Sequence, residues 1–325
     1  MKKLLSMLVI FLSAVFVLIA CSSGDSDTST TEADSSSTEE VSEESSPEEE
    51  EIVESTEELA DAIMIITGRY GQGTPEETEM VASILGGENS QERFNAYFNW
   101  FNIVHEVGHI VSDIIGNEFD YQSAEGFFAE ERFANAFAVA FWAHFGDEET
   151  LDLVREAISH AAEYLEPPAA EIENLSDFAE IWTAGELEFS FENYGWFQFN
   201  MVSEVLNDMR DLETLLADHG FELTEGLPQQ DLTFSSIGEN DISEILAEVF
   251  TVLSELGIEM PADIYHVLSP NPNDHMVIPV SAEDLVTTRD QVGLDAGVST
   301  TEILQALISI QLGDIEVIHI WEVGD

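Results

Sequence analysis

His105-Glu106-Val107-Gly108-His109 sits inside residues 90–115, a stretch whose spacing predicts one long helix ended by Gly116-Asn117. Two histidines four apart stand one turn apart on the same helical face. Both imidazoles can then reach one Zn²⁺, and the glutamate between them points at water on that metal. A glycine inside a helix costs about 1 kcal/mol against alanine. Gly108 therefore predicts another element packed closely against this face.

Twenty-two residues after His109 begins Glu131-Arg132-Phe133-Ala134-Asn135-Ala136-Phe137-Ala138, within a predicted helix over 126–145. The two runs together resemble the gluzincin metallopeptidases, the thermolysin-like group, in which a Glu-x-x-Ala/Ser-Asn/Asp run follows the first motif. The resemblance implies that His105, His109 and Glu131 bind Zn²⁺ and that Glu106 is the general base. It also implies that Asn135 orients a histidine from behind. Glu130 replaces Glu131 if the register slips by one, although Glu131 fits the spacing to Ala134-Asn135. Three protein ligands plus an open position is the catalytic zinc pattern, whereas structural sites close with four ligands, usually including Cys. The resemblance covers 105–145 closely and 52–220 loosely. It departs upstream, where gluzincins carry a strand whose edge pairs with substrate. Here Phe94, Tyr97, Phe98, Trp100 and Phe101 read as helix.

Such a hydrolase needs a donor to the oxyanion, which in gluzincins is a Tyr or His beyond the second helix. Candidates are Tyr194, His266 with Tyr265, and His275. Tyr194 is the choice, although its aromatic neighbours Phe191, Trp196 and Phe197 also suit a core stripe. His266 and His275 read as polar surface in a turn-rich region. His144, His160 and His219 lie near helix ends, where the dipole favours them. Asp113, one turn past His109, either orients that histidine or is an exposed acid.

The chain of 325 residues carries 67 acidic residues against eight basic ones, a net charge of −59. Lys2 and Lys3 are the only lysines, so six arginines serve the rest. Nucleic acid is excluded as a partner, because its phosphates need Lys and Arg. The acidity reads as adaptation to a saline exterior, where salt screens the self-repulsion.

Lys2-Lys3 precede an apolar run over 4–20, then Leu18-Ile19-Ala20-Cys21 and Ser22-Ser23-Gly24. This resembles the bacterial lipoprotein signal, which implies lipidation of Cys21 and anchoring at the extracytoplasmic face of a membrane. Cys21 is the single cysteine, so no disulfide within the chain is possible. Residues 22–51 are almost wholly Ser, Thr, Asp and Glu and cannot bury enough apolar surface to fold. They read as a tether that spans about 100 Å when extended.

The remaining pattern is mainly helical. Ser55-x-x-Glu58 resembles a capping box and opens a predicted helix over 55–67. Further helices are expected over 148–163, 192–218, 241–256 and 299–312, with strands at 276–280 and 315–321. The expected fold is mostly α, α+β overall. A zincin-like helical core over 52–222 precedes a smaller α/β region over 223–325. The expected function is a membrane-anchored zinc peptidase acting on a peptide or protein substrate. The alternative is a surface lipoprotein that keeps a peptidase-like scaffold for binding alone.

Overall fold

The computed structural model describes residues 59–323 other than 189, 224–225, 230, 233–237, 239–240 and 314. The signal segment with Cys21, the 22–51 tether and the Ser55/Glu58 pair lie outside the described residues. The described residues all belong to one compact unit.

The chain opens with strand β1 (Ala62–Gly68), then helices α1 (Pro75–Ile84) and α2 (Ser90–Ala96). A π-helical turn (Tyr97–Phe101) joins α2 to α3 (Asn102–Ile114), the motif helix. Next come α4 (Ala124–Phe145), α5 (Glu148–Tyr164), α6 (Leu175–Thr183), α7 (Phe191–Asn207), α8 (Leu212–Asp218) and α9 (Ile242–Glu255). The C-terminal part holds β2 (Asp263–Ser269), β3 (Met276–Val280), α10 (Ala282–Val292), α11 (Thr300–Leu312) and β4 (Val317–Trp321). The protein is thus mostly helical with a small mixed sheet. Among the described residues no helix is long and apolar enough to cross a membrane.

The sheet runs in the order β3-β1-β2-β4. β1 and β2 pair in parallel, with Ile65 opposite His266, while β3 and β4 run antiparallel along the two edges. This overturns the helix expected over 55–67, since Ala62–Gly68 is a central strand. All seven of its residues are buried. Ile63 and Ile65 enter the helical core, while Ala62, Met64 and Ile66 enter a second core with Leu285, Ile303, Leu304 and Ile308 of α10 and α11. With both faces apolar, the two-residue period of a strand leaves no alternation to read. The single helix expected over 192–218 is two helices, broken at Asp208–Asp211, where Asp211 caps α8 by accepting from Thr214 N–H.

The motif helix is clamped into the helical core. A Cβ on Gly108 would lie 2.9 Å from Ala134 Cα, so α3 and α4 touch backbone to backbone there. This is the close packing that a mid-helix glycine predicts. In the π-helical turn just before α3, Trp100 stacks on Trp142 of α4 at 4.0 Å, and Trp142 donates its indole N–H to the Trp100 carbonyl at 3.1 Å. Gly116, at φ +83°, takes the left-handed conformation that closes α3. Ser123 caps α4 by accepting from Gly126 N–H. These contacts fix the two helices that carry the candidate site.

Candidate metal centre

The helical phase of α3 brings His105 and His109 together as their spacing requires. Their Nε2 atoms face each other 3.2 Å apart. α4 supplies Glu131, whose Oε2 lies 3.6 Å from His105 Nε2. One ligand atom from each of His105, His109 and Glu131 lies within 4.8 Å of the others, so this group could hold a metal ion. Glu106 is 8% exposed, faces the same site, and accepts a hydrogen bond from Asn102 Nδ2 at 3.2 Å.

Behind these groups lies a polar network that the sequence reading captured only in part. Tyr194 donates its hydroxyl to Glu131 Oε1 at 2.8 Å, so the expected oxyanion donor sits on a candidate ligand. Gln198 Nε2 donates to Glu131 Oε2 at 2.6 Å and to the Tyr194 hydroxyl at 2.8 Å. Asn135 Nδ2 donates to Gln198 Oε1 at 3.0 Å and to the Glu131 carbonyl at 2.9 Å. Asn135 also stands beside His105 and favours its protonated form, while His105 Nδ1 makes no hydrogen bond of normal geometry.

Glu130 occupies a different place from Glu131. Its Oε1 contacts His109 Nδ1, on the side of the ring away from His105. That is where a carboxylate fixes the tautomer of a metal-binding histidine. Asp113 is exposed and faces Tyr121 at 3.5 Å, so the contact to His109 comes from Glu130 instead. No motif marks Gln198 or Asn102, whose roles arise from one helix crossing and one helical turn.

Electrostatics follow from three buried carboxylates, Glu106, Glu130 and Glu131, gathered around two histidines. Burial lifts Glu106 to about 7, with His109 pulling it down and Glu131 pushing it up. Glu131 is raised for the same first reason. His105 is held well below its usual value by burial and then by His109. Burial also lowers His109, but the carboxylates of Glu130, Glu131 and Glu106 outweigh it and lift it to about 10. A proton on His109 thus balances part of the buried negative charge, and a cation at the same place would balance more of it. The two imidazole Nε2 atoms and the Glu131 carboxylate converge beside this excess of buried negative charge, and on these grounds they fit a metal ion.

The other candidates lie elsewhere. His266 and His275 are not the polar surface expected of them. His266 is 1% exposed on β2, between Thr67 Oγ1 at 2.9 Å and Ser243 Oγ at 3.1 Å. His275 stacks on Phe98 at 4.5 Å. Burial pushes both down to about 4. Tyr265 points into the opposite core and stacks on His319. Compared with known proteins, the chain matches no family profile, no curated protein and no solved structure.

Proposed function

We propose that this chain is a zinc-dependent peptidase with a zincin-like core, held by lipidated Cys21 at the outer face of a membrane. The observation that carries this reading is the convergence of His105, His109 and Glu131 beside a buried, non-ligating Glu106. Two nitrogens and one carboxylate oxygen suit zinc, and three ligands leave a position open. When bound, zinc supplies a Lewis acid and lowers the pKa of water at that position.

The chain's own residues do the rest. Glu106, buried beside the three candidate ligands and not one of them, is placed to take a proton. It accepts one from the attacking water and returns it to the leaving nitrogen. The C–N bond breaks, and one water yields a carboxylate and an amine. Asn102 holds the Glu106 carboxylate at Oε1, which leaves Oε2 for the water. Glu130 keeps the His109 proton on Nδ1, which frees Nε2 as a ligand atom. Tyr194 and Gln198 fix Glu131 at both oxygens.

Elemental analysis of the full chain, paired with hydrolysis of fluorescein-labelled casein, tests the reading. About one zinc per chain and casein cleavage are expected. Glu106→Gln should keep the zinc and lose roughly 10²–10⁴-fold in rate. A parent that binds zinc but cleaves neither casein nor a mixed peptide library would favour a binding-only lipoprotein. A parent without zinc at neutral pH would remove the metal site itself.

A further inference from the structure

The helix that carries the motif is not regular along its length. Over Tyr97–Phe101 it is π-helical, and Asn102 N–H donates to the Tyr97 carbonyl five residues back. A π turn takes up one residue more than an α turn, and such turns occur frequently at functional sites. Its consequence here is a change of phase. At about 100° per residue, an unbroken α-helix would set Tyr97 about 80° from His105 and about 120° from His109. With one residue absorbed by the π turn, Tyr97 comes within about 20° of both. The irregularity thus turns a tyrosine onto the histidine face of the helix.

Tyr97 is 2% exposed. Its ring lies 4.5 Å from Phe199, 4.8 Å from Phe98 and 5.6 Å from Phe101. Phe199 follows Gln198 on α7, the residue that holds Glu131. Burial and then the charges of Glu131 and Glu106 raise the phenol's pKa, which keeps it protonated. A phenylalanine would make every one of these ring contacts without carrying a hydroxyl into the interior. The hydroxyl therefore calls for a reason beyond packing. The Tyr194 hydroxyl, meanwhile, is engaged by Glu131 and Gln198.

We propose that Tyr97, set on the histidine face by the π turn, is the neutral phenol that donates a hydrogen bond to the substrate carbonyl oxygen as charge develops on it. The proton stays on the phenol throughout, so this residue changes no bond. The proposal rests on the peptidase reading above.

The test compares the full chain with its Tyr97→Phe and Tyr194→Phe variants. Bound zinc, the thermal midpoint, and kcat and KM on fluorescein-labelled casein are measured. Tyr97→Phe should keep one zinc, melt no lower than the parent, and lose roughly 10²–10³-fold in kcat with KM little changed. Tyr194→Phe should lower zinc affinity, since its hydroxyl holds a ligand. A Tyr97→Phe protein with kcat within about twofold of an active parent would overturn the proposal and leave the peptidase reading standing. So would loss of zinc or a lower midpoint in that variant, which would make Tyr97 a structural residue. A parent that fails to cleave casein while holding zinc would overturn both together.

Discussion

The histidine environments on β2 and on α3 are both buried, and they differ in kind. On β2, His266 is bracketed by the hydroxyls of Thr67 and Ser243, with no carboxylate among the causes that shift it. Burial alone keeps it neutral, and both ring nitrogens have partners. On α3, His105 and His109 face each other across 3.2 Å and are surrounded by Glu106, Glu130 and Glu131. Burial would neutralise both, yet the carboxylates pull one of them the other way. Burial of a histidine is therefore uninformative by itself. What separates a structural histidine from a ligand is unbalanced charge that a proton or a cation must meet.

The widest contrast is in metal binding. His105→Ala and Glu131→Gln should each abolish stoichiometric zinc, whereas His266→Ala should leave about one zinc per chain and cost roughly 1–3 kcal/mol of stability. Elemental analysis beside denaturant melts reads both. Zinc lost from the His266 variant with its fold intact would erase the distinction.

Glu130→Gln sharpens the contrast within the candidate metal site. If Glu130 orients His109 rather than binding metal, zinc affinity should fall by about 10–100-fold while stoichiometry persists. Competition with a chromophoric chelator measures this. Complete loss of zinc, with zinc kept in Glu131→Gln, would make Glu130 the ligand instead.

Gly108→Ala probes the packing beneath the site. Its Cβ would meet Ala134 Cα at 2.9 Å, which is backbone and cannot swing aside. A loss of about 1–3 kcal/mol is expected, although alanine favours the helix by about 1 kcal/mol. A variant as stable as the parent in urea would show that α3 and α4 can separate without cost.

The smallest effect is a pH slope. His266 has a folded pKa of about 4 against 6.5 for the ordinary group. Between these values the unfolded chain binds a proton that the folded chain excludes. Stability is therefore lost as pH falls from 6.5 to 4, by about 3 kcal/mol in all, and the loss levels off below 4. His266→Gln lacks this term, so its stability should fall less than the parent's between pH 7 and 4.5. Equal slopes in the two proteins would contradict a neutral, buried His266.

The candidate site was legible where its information is local. The spacing of His105 and His109 is one helical turn, and Gly108 has no other use in a helix interior. The Glu131-to-Asn135 run marked the second helix. Long-range placement was not legible. Nothing near 62–68 announces a strand, because its partners lie some two hundred residues on and both its faces are apolar. His266 looked like surface because the segment that buries it, β1, was read as helix. Tyr194 was singled out as a donor to substrate, and only the crossing of α7 over α4 shows its hydroxyl on Glu131.

The sequence by itself determined the motif helix, the acid between its histidines, the second motif helix and the mostly helical class. These follow from a 3.6-residue period that any local window contains. Tertiary structure alone decided the central place of β1, the division of labour between Glu130 and Glu131, and the clasp of Tyr194 and Gln198 on a candidate ligand. It alone also decided the π turn that swings Tyr97 onto the histidine face. Each of these depends on which surfaces meet after the chain folds, and hydrogen bonds and charges between distant segments have no period along the chain.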